Sequence, residues 1–333
     1  MANKKPVGPV DATKVPRYAG LGTFARLPQI QQVEDYDIAV LGVPFDGGTS
    51  FRPGARFGPA AVREASRLLR PGYHVELGVS PVEVLQVVDA GDVACTPYDN
   101  KKAVAQIEEH ARTVVAPGKR VIAVGGDHTI ALPMLRATHA AHGPVALLHF
   151  DAHLDTWDTY FEEEITHGTM FRRAFEEGLL VEDKSMHVGI RGPVYDKDDF
   201  IRDHEFGFQI IRCTDVDEIG VPAAIQRIKD RIGDHPVYVS IDIDVLDPAV
   251  APGTGTPEMG GLGSRELLRL LRGLGGLNIV GADVVEVAPA YDHADITSVA
   301  AATVVFDLMG LMVNGLSKDS EGTQDIEAEF ALN

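Results

Sequence analysis

The stretch Leu147-Leu148-His149-Phe150-Asp151-Ala152-His153-Leu154-Asp155 constrains the fold of this chain more than any other. It begins as the apolar run of a buried strand and ends on three potential metal ligands spaced two apart. Side chains alternate along a β-strand, so this spacing predicts Asp151, His153 and Asp155 on one face. Three such groups behind an apolar run cost a great deal to desolvate unless a positive charge sits among them. The stretch therefore reads as a divalent-cation site at a strand end. His149 shares the face but lies deeper and reads as a hydrogen-bonded core histidine.

Three further segments carry groups of the same kind. Gly125-Gly126-Asp127-His128 follows an apolar run and turns tightly enough to aim His128 across the end of a sheet. Alone, that histidine would read as a helix cap or a satisfied surface residue. Ser240-Ile241-Asp242-Ile243-Asp244-Val245-Leu246-Asp247-Pro248 repeats the alternation, with Asp242 and Asp244 on one face and Asp247 as a turn residue before proline. Two like charges so close at a buried strand end repel unless they share a cation. Glu286 closes a fourth apolar run. The first three segments offer two imidazoles and four carboxylates and no thiolate, a donor set that suits Mn²⁺ better than structural Zn²⁺. Residues two apart on a strand are roughly 6.6 Å apart, so one strand can serve two ions about 3.5–4 Å apart. Such a pair bridges a water and lowers its pKa.

Strand-like runs recur at 37–43, 84–88, 120–124, 145–150, 186–190, 208–212, 237–243 and 279–287. Helical periodicity lies between most of them, at 60–69, 101–115, 130–141, 169–177, 223–232, 265–274 and 296–313. Strands alternating with helices predict one α/β domain around a mostly parallel sheet, with its site where strands end and loops begin. Residues 1–35 read as an extended arm, 36–316 as the domain, and 317–333 as an acidic tail. The run 298–316 is long and apolar, but Asp307 interrupts it and it reads as a core helix rather than a membrane span.

The formal net charge of −19 argues against nucleic acid or an anionic membrane as partner and is compatible with a cationic substrate. The two cysteines, Cys95 and Cys213, have no metal-binding spacing and fit a reducing compartment. The N-terminus shows no signal-peptide pattern, and the expected location is cytoplasmic.

Taken together, Gly125-Gly126-Asp127-His128, the run 150–155, and the run 240–248 continuing into Ala251-Pro252-Gly253-Thr254-Gly255-Thr256-Pro257 resemble the ureohydrolase family. That family includes arginase, agmatinase, guanidinobutyrase and proclavaminate amidinohydrolase, and the resemblance spans about residues 35–315. It implies a single three-layer, arginase-like α/β domain with an eight-stranded sheet and two Mn²⁺ per subunit, Ni²⁺ being possible. It assigns His128, Asp151, Asp155 and Asp242 to one ion and Asp151, His153, Asp242 and Asp244 to the other. It further implicates His167 as a proton shuttle, Glu286 as the acid that holds the guanidinium, and Asp155 as the group that passes a proton to the departing amine. The implied assembly is a homotrimer or homohexamer, acting in arginine and polyamine metabolism.

The substrate is less constrained. The Asn and Ser pattern by which arginases grip an α-amino acid is missing, and His167-Gly168-Thr169-Met170-Phe171 is similar to the agmatinase branch. Glu162 and Glu163, in the loop after the metal strand, favour a substrate with an amine at its far end, such as agmatine. Arg191 or the Arg52/Arg56 loop offers a cation to a carboxylate-ended substrate such as 4-guanidinobutyrate. Proclavaminate-type substrates and free guanidine remain open. Other classes are a deacetylase-like hydrolase on a related fold and a non-catalytic metal-binding scaffold. The complete two-ion ligand set disfavours the first; the presence of His167 and Glu286 disfavours the second.

Overall fold

Eight strands form one sheet in which every neighbouring pair is parallel. The computed structural model describes residues 5–316. Its strands are β1 (Ile38–Val43), β2 (Val87–Asp92), β3 (Arg120–Gly125), β4 (Ala146–Phe150), β5 (Ser185–Ile190), β6 (Phe208–Arg212), β7 (Val237–Asp242) and β8 (Ile279–Val285), in the order β2-β1-β3-β8-β7-β4-β5-β6. Helices make the crossovers: α1 (Gly58–Ser66), α2 (Pro81–Val84), α3 (Asn100–Val114), α4 (Ala131–His142), α5 (Met170–Glu176), α6 (Asp198–Glu205), α7 (Cys213–Ile219), α8 (Val221–Ile232), α9 (Ser264–Arg272) and α10 (Ile296–Leu316).

Both faces of the sheet are covered, so most strands are apolar throughout rather than alternating. Leu148, Val239 and Ile241 pack on one side with Ile228 of α8, Leu271 of α9 and Leu308 of α10. Their neighbours Leu147 and Tyr238 pack on the other with Ile107 of α3, Leu135 of α4 and Phe171 of α5. The result is the expected three-layer α/β domain. An 18-residue window of α10 is apolar enough to cross a membrane by length and composition, yet 72% of it is buried within the molecule. Its one charge, Asp307, is held by His74 at 2.6 Å and Arg272 at 2.8 Å.

Several expectations shift. The strand predicted at 84–88 runs over Val87–Asp92 instead, because Pro81 opens a helical turn and Arg63 pairs with Asp89 at 2.9 Å and Asp92 at 2.5 Å. Three helices, α2, α6 and α7, have no counterpart in the periodicity. The buried residues of α6 are Asp199 and Asp203, so its inward face is acidic and no apolar stripe announces it. Residues 23–27 of the arm are buried, with the Phe24 amide donating to Asp89 and the Ala25 amide to Ser66. The tail 317–333 lies outside the described residues.

Candidate metal centre

The four central strands, β3, β8, β7 and β4, bring the candidate ligands to one end of the sheet. They do so by a different local device from the one the alternation predicts. β4 stops at Phe150 and β7 at Asp242, so Asp151, His153 and Asp155 share no strand face, and neither do Asp242 and Asp244. Instead an aspartate at each strand end accepts the amide two residues on, a turn that folds the next ligand back. Asp151 accepts from the His153 amide at 2.6 Å, Asp242 from the Asp244 amide at 2.8 Å, and Asp127 from the Thr129 amide at 2.9 Å. Asp155 and Glu286 complete the site from left-handed backbone, at φ 59° and 64°. Such conformations in non-glycine residues persist only where the surroundings enforce them. At Gly126 a side chain would collide with the Phe45 carbonyl, which is why the His128 turn needs glycine there.

His128 is fully buried, and its two ring nitrogens have different surroundings. Nε2 lies 2.8 Å from Ser240 Oγ. The Ser240 hydroxyl donates to Asp283 at 2.6 Å, and the Tyr238 hydroxyl donates to the other Asp283 oxygen at 2.7 Å. Ser240 must therefore accept from the ring, which puts a hydrogen on Nε2 and leaves Nδ1 to face inward. Nδ1 lies 3.2 Å from Asp151, 3.0 Å from Asp155 and 3.4 Å from Asp242, all at Oδ2, yet has no hydrogen-bond partner. A buried nitrogen that lacks a hydrogen-bond partner and faces three converging carboxylate oxygens fits a cation at their centre. Without a cation a proton takes its place: burial opposes it, but these carboxylates raise the affinity of His128 for a proton well above its ordinary value.

A second group adjoins the first. His153 Nδ1 lies 3.2 Å from Asp151 Oδ1 and 3.2 Å from Asp244 Oδ2. Asp151 thus serves both groups, one oxygen to each. Burial and the neighbouring carboxylates Asp244 and Asp151 push Asp242 well above the usual carboxylate range, and burial with Asp151 pushes Asp244 up to about 6. Asp151, despite its burial, is held well below that range by His149, His128 and His153. The structure brings His128, Asp151, His153, Asp155, Asp242 and Asp244 together. His149 also lies within range of the first group, but its nitrogens contact Asp151 at 2.8 Å and His187 at 2.6 Å.

Glu286 is 1% exposed. One oxygen accepts from the His128 amide at 2.9 Å and lies 3.1 Å from His167 Nδ1; the other has no partner. On the far side of the His167 ring, Nε2 meets Ser50 Oγ at 2.7 Å and the Ser50 amide at 3.1 Å. Burial lowers the proton affinity of His167, but Glu286 overrides it and raises the ring from 6.5 to about 9. A raised value means stability fully present below pH 6.5 and lost as pH climbs through 9. In chelator, wild type should lose up to about 3 kcal/mol of unfolding free energy relative to His167→Gln between pH 6 and 9.5; the Ser50 amide, which favours the neutral ring, reduces that figure. Parallel urea-denaturation profiles for the two proteins would contradict the pairing.

A cavity of about 370 Å³ opens onto this cluster. Asp155, His153, Asp242 and His167 line it together with Trp157, Tyr160, Tyr195 and Glu258, whose carboxylate lies 3.8 Å from His153 Nε2. Trp157 stacks on Tyr160 with centroids 5.7 Å apart, and the two tyrosine hydroxyls are 2.9 Å apart. The substrate-side expectations need correction. Glu162 and Glu163 are exposed and do not line the cavity. Arg191 does not line it either: its guanidinium is consumed by the carbonyls of Gly189, Asp244, Val245, Leu246 and Glu258, at 2.6–3.3 Å. Arg52 bonds the Gly255 carbonyl and lies over Tyr291, while Arg56 pairs with Asp46. Ser50, Pro193, Val194, Tyr195 and Glu258 are lining residues that sequence reasoning missed. Glu258 follows Thr256-Pro257 at the end of a recognised motif, the one signal that could have found it.

The family model described as Arginase family matches residues 36–310. The chain belongs to the arginase family. Among arginase-family proteins it is 46% identical to putative agmatinase 3 of Schizosaccharomyces pombe, covering 90% of this chain and 81% of that protein. It is 44% identical to guanidinopropionase of Pseudomonas aeruginosa, covering 96% and 100%. Among solved structures, proclavaminate amidinohydrolase of Streptomyces clavuligerus superposes with a TM-score of 0.84 at 41% identity, covering 90% of this chain and 100% of that one.

Proposed function

We propose that this protein hydrolyses agmatine to putrescine and urea, using two Mn²⁺ ions held by His128, Asp151, His153, Asp155, Asp242 and Asp244. One observation carries the reading: the partnerless oxygen of buried Glu286 lies beside a carboxylate–imidazole cluster that is itself short of positive charge. A guanidinium supplies the missing hydrogen bond and charge for the first, and a pair of cations supplies the charge for the second. Oxygen and imidazole donors without thiolate suit Mn²⁺. When bound, the ions would act as Lewis acids that make a water nucleophilic at neutral pH.

The chain's own groups do the rest. Glu286 Oε2 accepts a charge-assisted hydrogen bond from the guanidinium and fixes its plane. Water adds to the guanidinium carbon, and the Asp155 carboxylate takes a proton from it. Asp155 then gives that proton to the alkyl nitrogen as the C–N bond breaks, leaving the amine and a protonated urea, whose extra proton must still be lost so that neutral urea and an alkylammonium are released. His167 Nε2, hydrogen-bonded to Ser50 at the cavity wall, exchanges the proton with solvent.

The lining of the cavity favours an amine at the substrate's far end. Glu258 and three aromatic rings line it, and among the described residues no Lys or Arg does. An ammonium is attracted by the carboxylate and by the ring faces, whereas a carboxylate would meet Glu258. Urea release should be measured from agmatine, 4-guanidinobutyrate, 3-guanidinopropionate, arginine and guanidine, with Mn²⁺ and with Ni²⁺. Agmatine with Mn²⁺ should give the highest kcat/KM, and Glu258→Gln should lower it roughly tenfold while leaving the guanidino acids unchanged or improved. A wild-type preference for a guanidino acid would overturn the amine assignment; no urea from any of them would overturn the hydrolase.

A further inference from the structure

We propose that His149, His187 and Asp203 form a buried hydrogen-bond relay that holds the shared carboxylate of Asp151 in its cation-binding orientation. The inference rests on the two-cation reading above and extends it to residues with no place in the donor set. All three side chains are fully buried. His149 Nε2 lies 2.8 Å from Asp151 Oδ2, His149 Nδ1 lies 2.6 Å from His187 Nδ1, and His187 Nε2 lies 3.2 Å from Asp203 Oδ1. The Thr156 hydroxyl donates to the same Asp203 oxygen at 2.9 Å.

The protons in this chain can be arranged in one direction. An ionised Asp151 can only accept, so His149 carries its hydrogen on Nε2. Its Nδ1 is then a lone pair, and the hydrogen in the contact between the two histidines belongs to His187. One proton lies between His187 Nε2 and Asp203, on the ring or on the acid, and either choice leaves the other bonds unchanged. In the two bonds nearest Asp151 the donor therefore points toward it, and each bond polarises the next. Asp151 is the residue where orientation matters most, because each of its oxygens belongs to a different cation group. The amide of His153 fixes one oxygen and His149 fixes the other. The relay also accounts for the acidic inner face of α6. Asp203 ends the chain, and Asp199, one turn earlier, accepts from Trp157 Nε1 at 3.3 Å, so α6 ties the relay to the cavity wall.

His149, His187 and Asp203 are thus positioning residues, and metal affinity reads them out directly. The test compares variants that remove a donor with variants that keep one. His149→Leu and His187→Leu remove it. His149→Gln keeps a donor near the Nε2 position, and His187→Asn keeps one near the Nδ1 position. Mn²⁺ is titrated into each metal-free full-length protein against a competing chelator, with thermal unfolding in chelator as the folding control. The leucine variants should bind Mn²⁺ about 10–100-fold more weakly than wild type, and the amide variants within about threefold of it. Folded leucine variants that bind Mn²⁺ as wild type does would overturn the relay. Should a leucine variant not fold, the amide variants still decide, because a tenfold loss in a folded Gln or Asn variant overturns it too. A wild-type protein that takes up no Mn²⁺ removes the two-cation reading and the relay together, whereas two ions in wild type with indifferent variants removes the relay alone.

Discussion

Asp151→Asn is expected to leave the chain folded and to cut guanidinohydrolase activity by roughly 10³-fold or more. The substitution keeps the shape of the side chain and removes the charge that both cation groups share. Asp244→Asn removes a ligand of the His153 group alone, so it should spare part of the metal content, while Asp151→Asn should spare none. Thermal unfolding separates loss of ligands from loss of fold. With Mn²⁺ at about a thousandfold excess over its Kd, wild type should gain on the order of 4 kcal/mol per ion bound. Asp151→Asn should melt near wild type in chelator and gain almost nothing from Mn²⁺. It removes the Asp151 charge that adds to burial in pushing Asp242, Asp155 and Asp244 above the usual carboxylate range, and it also removes the partner of His149, His128 and His153, so the two effects oppose each other in the metal-free form. A variant that keeps the full Mn²⁺-induced stabilisation would show that Asp151 is not shared.

Glu286→Gln is expected to lower kcat/KM for guanidino substrates by roughly 10²–10³-fold while leaving two Mn²⁺ in place. Glu286 accepts from the backbone amide of His128 and lies beside the ring of His167, so on the proposed mechanism its charge serves the substrate and the shuttle rather than the ions. A second readout follows. The carboxylate holds His167 up to about 9, so the variant's histidine should titrate lower, toward its ordinary value of 6.5. Nuclear magnetic resonance of the ring in metal-free wild type and variant reads that shift. Loss of metal, or unchanged kcat/KM, would remove Glu286 from the substrate's binding place.

The fold was legible because its strands are apolar on both faces and are separated by amphipathic helices. The donor residues were legible because charged groups straight after an apolar run are physically costly and therefore conspicuous. Their geometry was not: alternation along a strand puts Asp151, His153 and Asp155 on one face, but an aspartate at a strand end prefers to accept the amide two residues on, and the chain turns. Lone residues were the least visible. Glu258 belongs to no pattern, and Asp203 sits on a helix whose buried face is acidic. Arg191 shows the converse. A cation two residues from a strand end looks available to a substrate, and nothing in the sequence reveals that backbone carbonyls have already taken it.

Anomalous diffraction at the manganese edge, from crystals of the full-length protein grown with Mn²⁺, tests the two-cation centre most directly. Two peaks per chain are expected, on either side of the Asp151 carboxylate, one beside His128 and Asp155 and the other beside His153 and Asp244. A single peak, or peaks remote from Asp151, would contradict it.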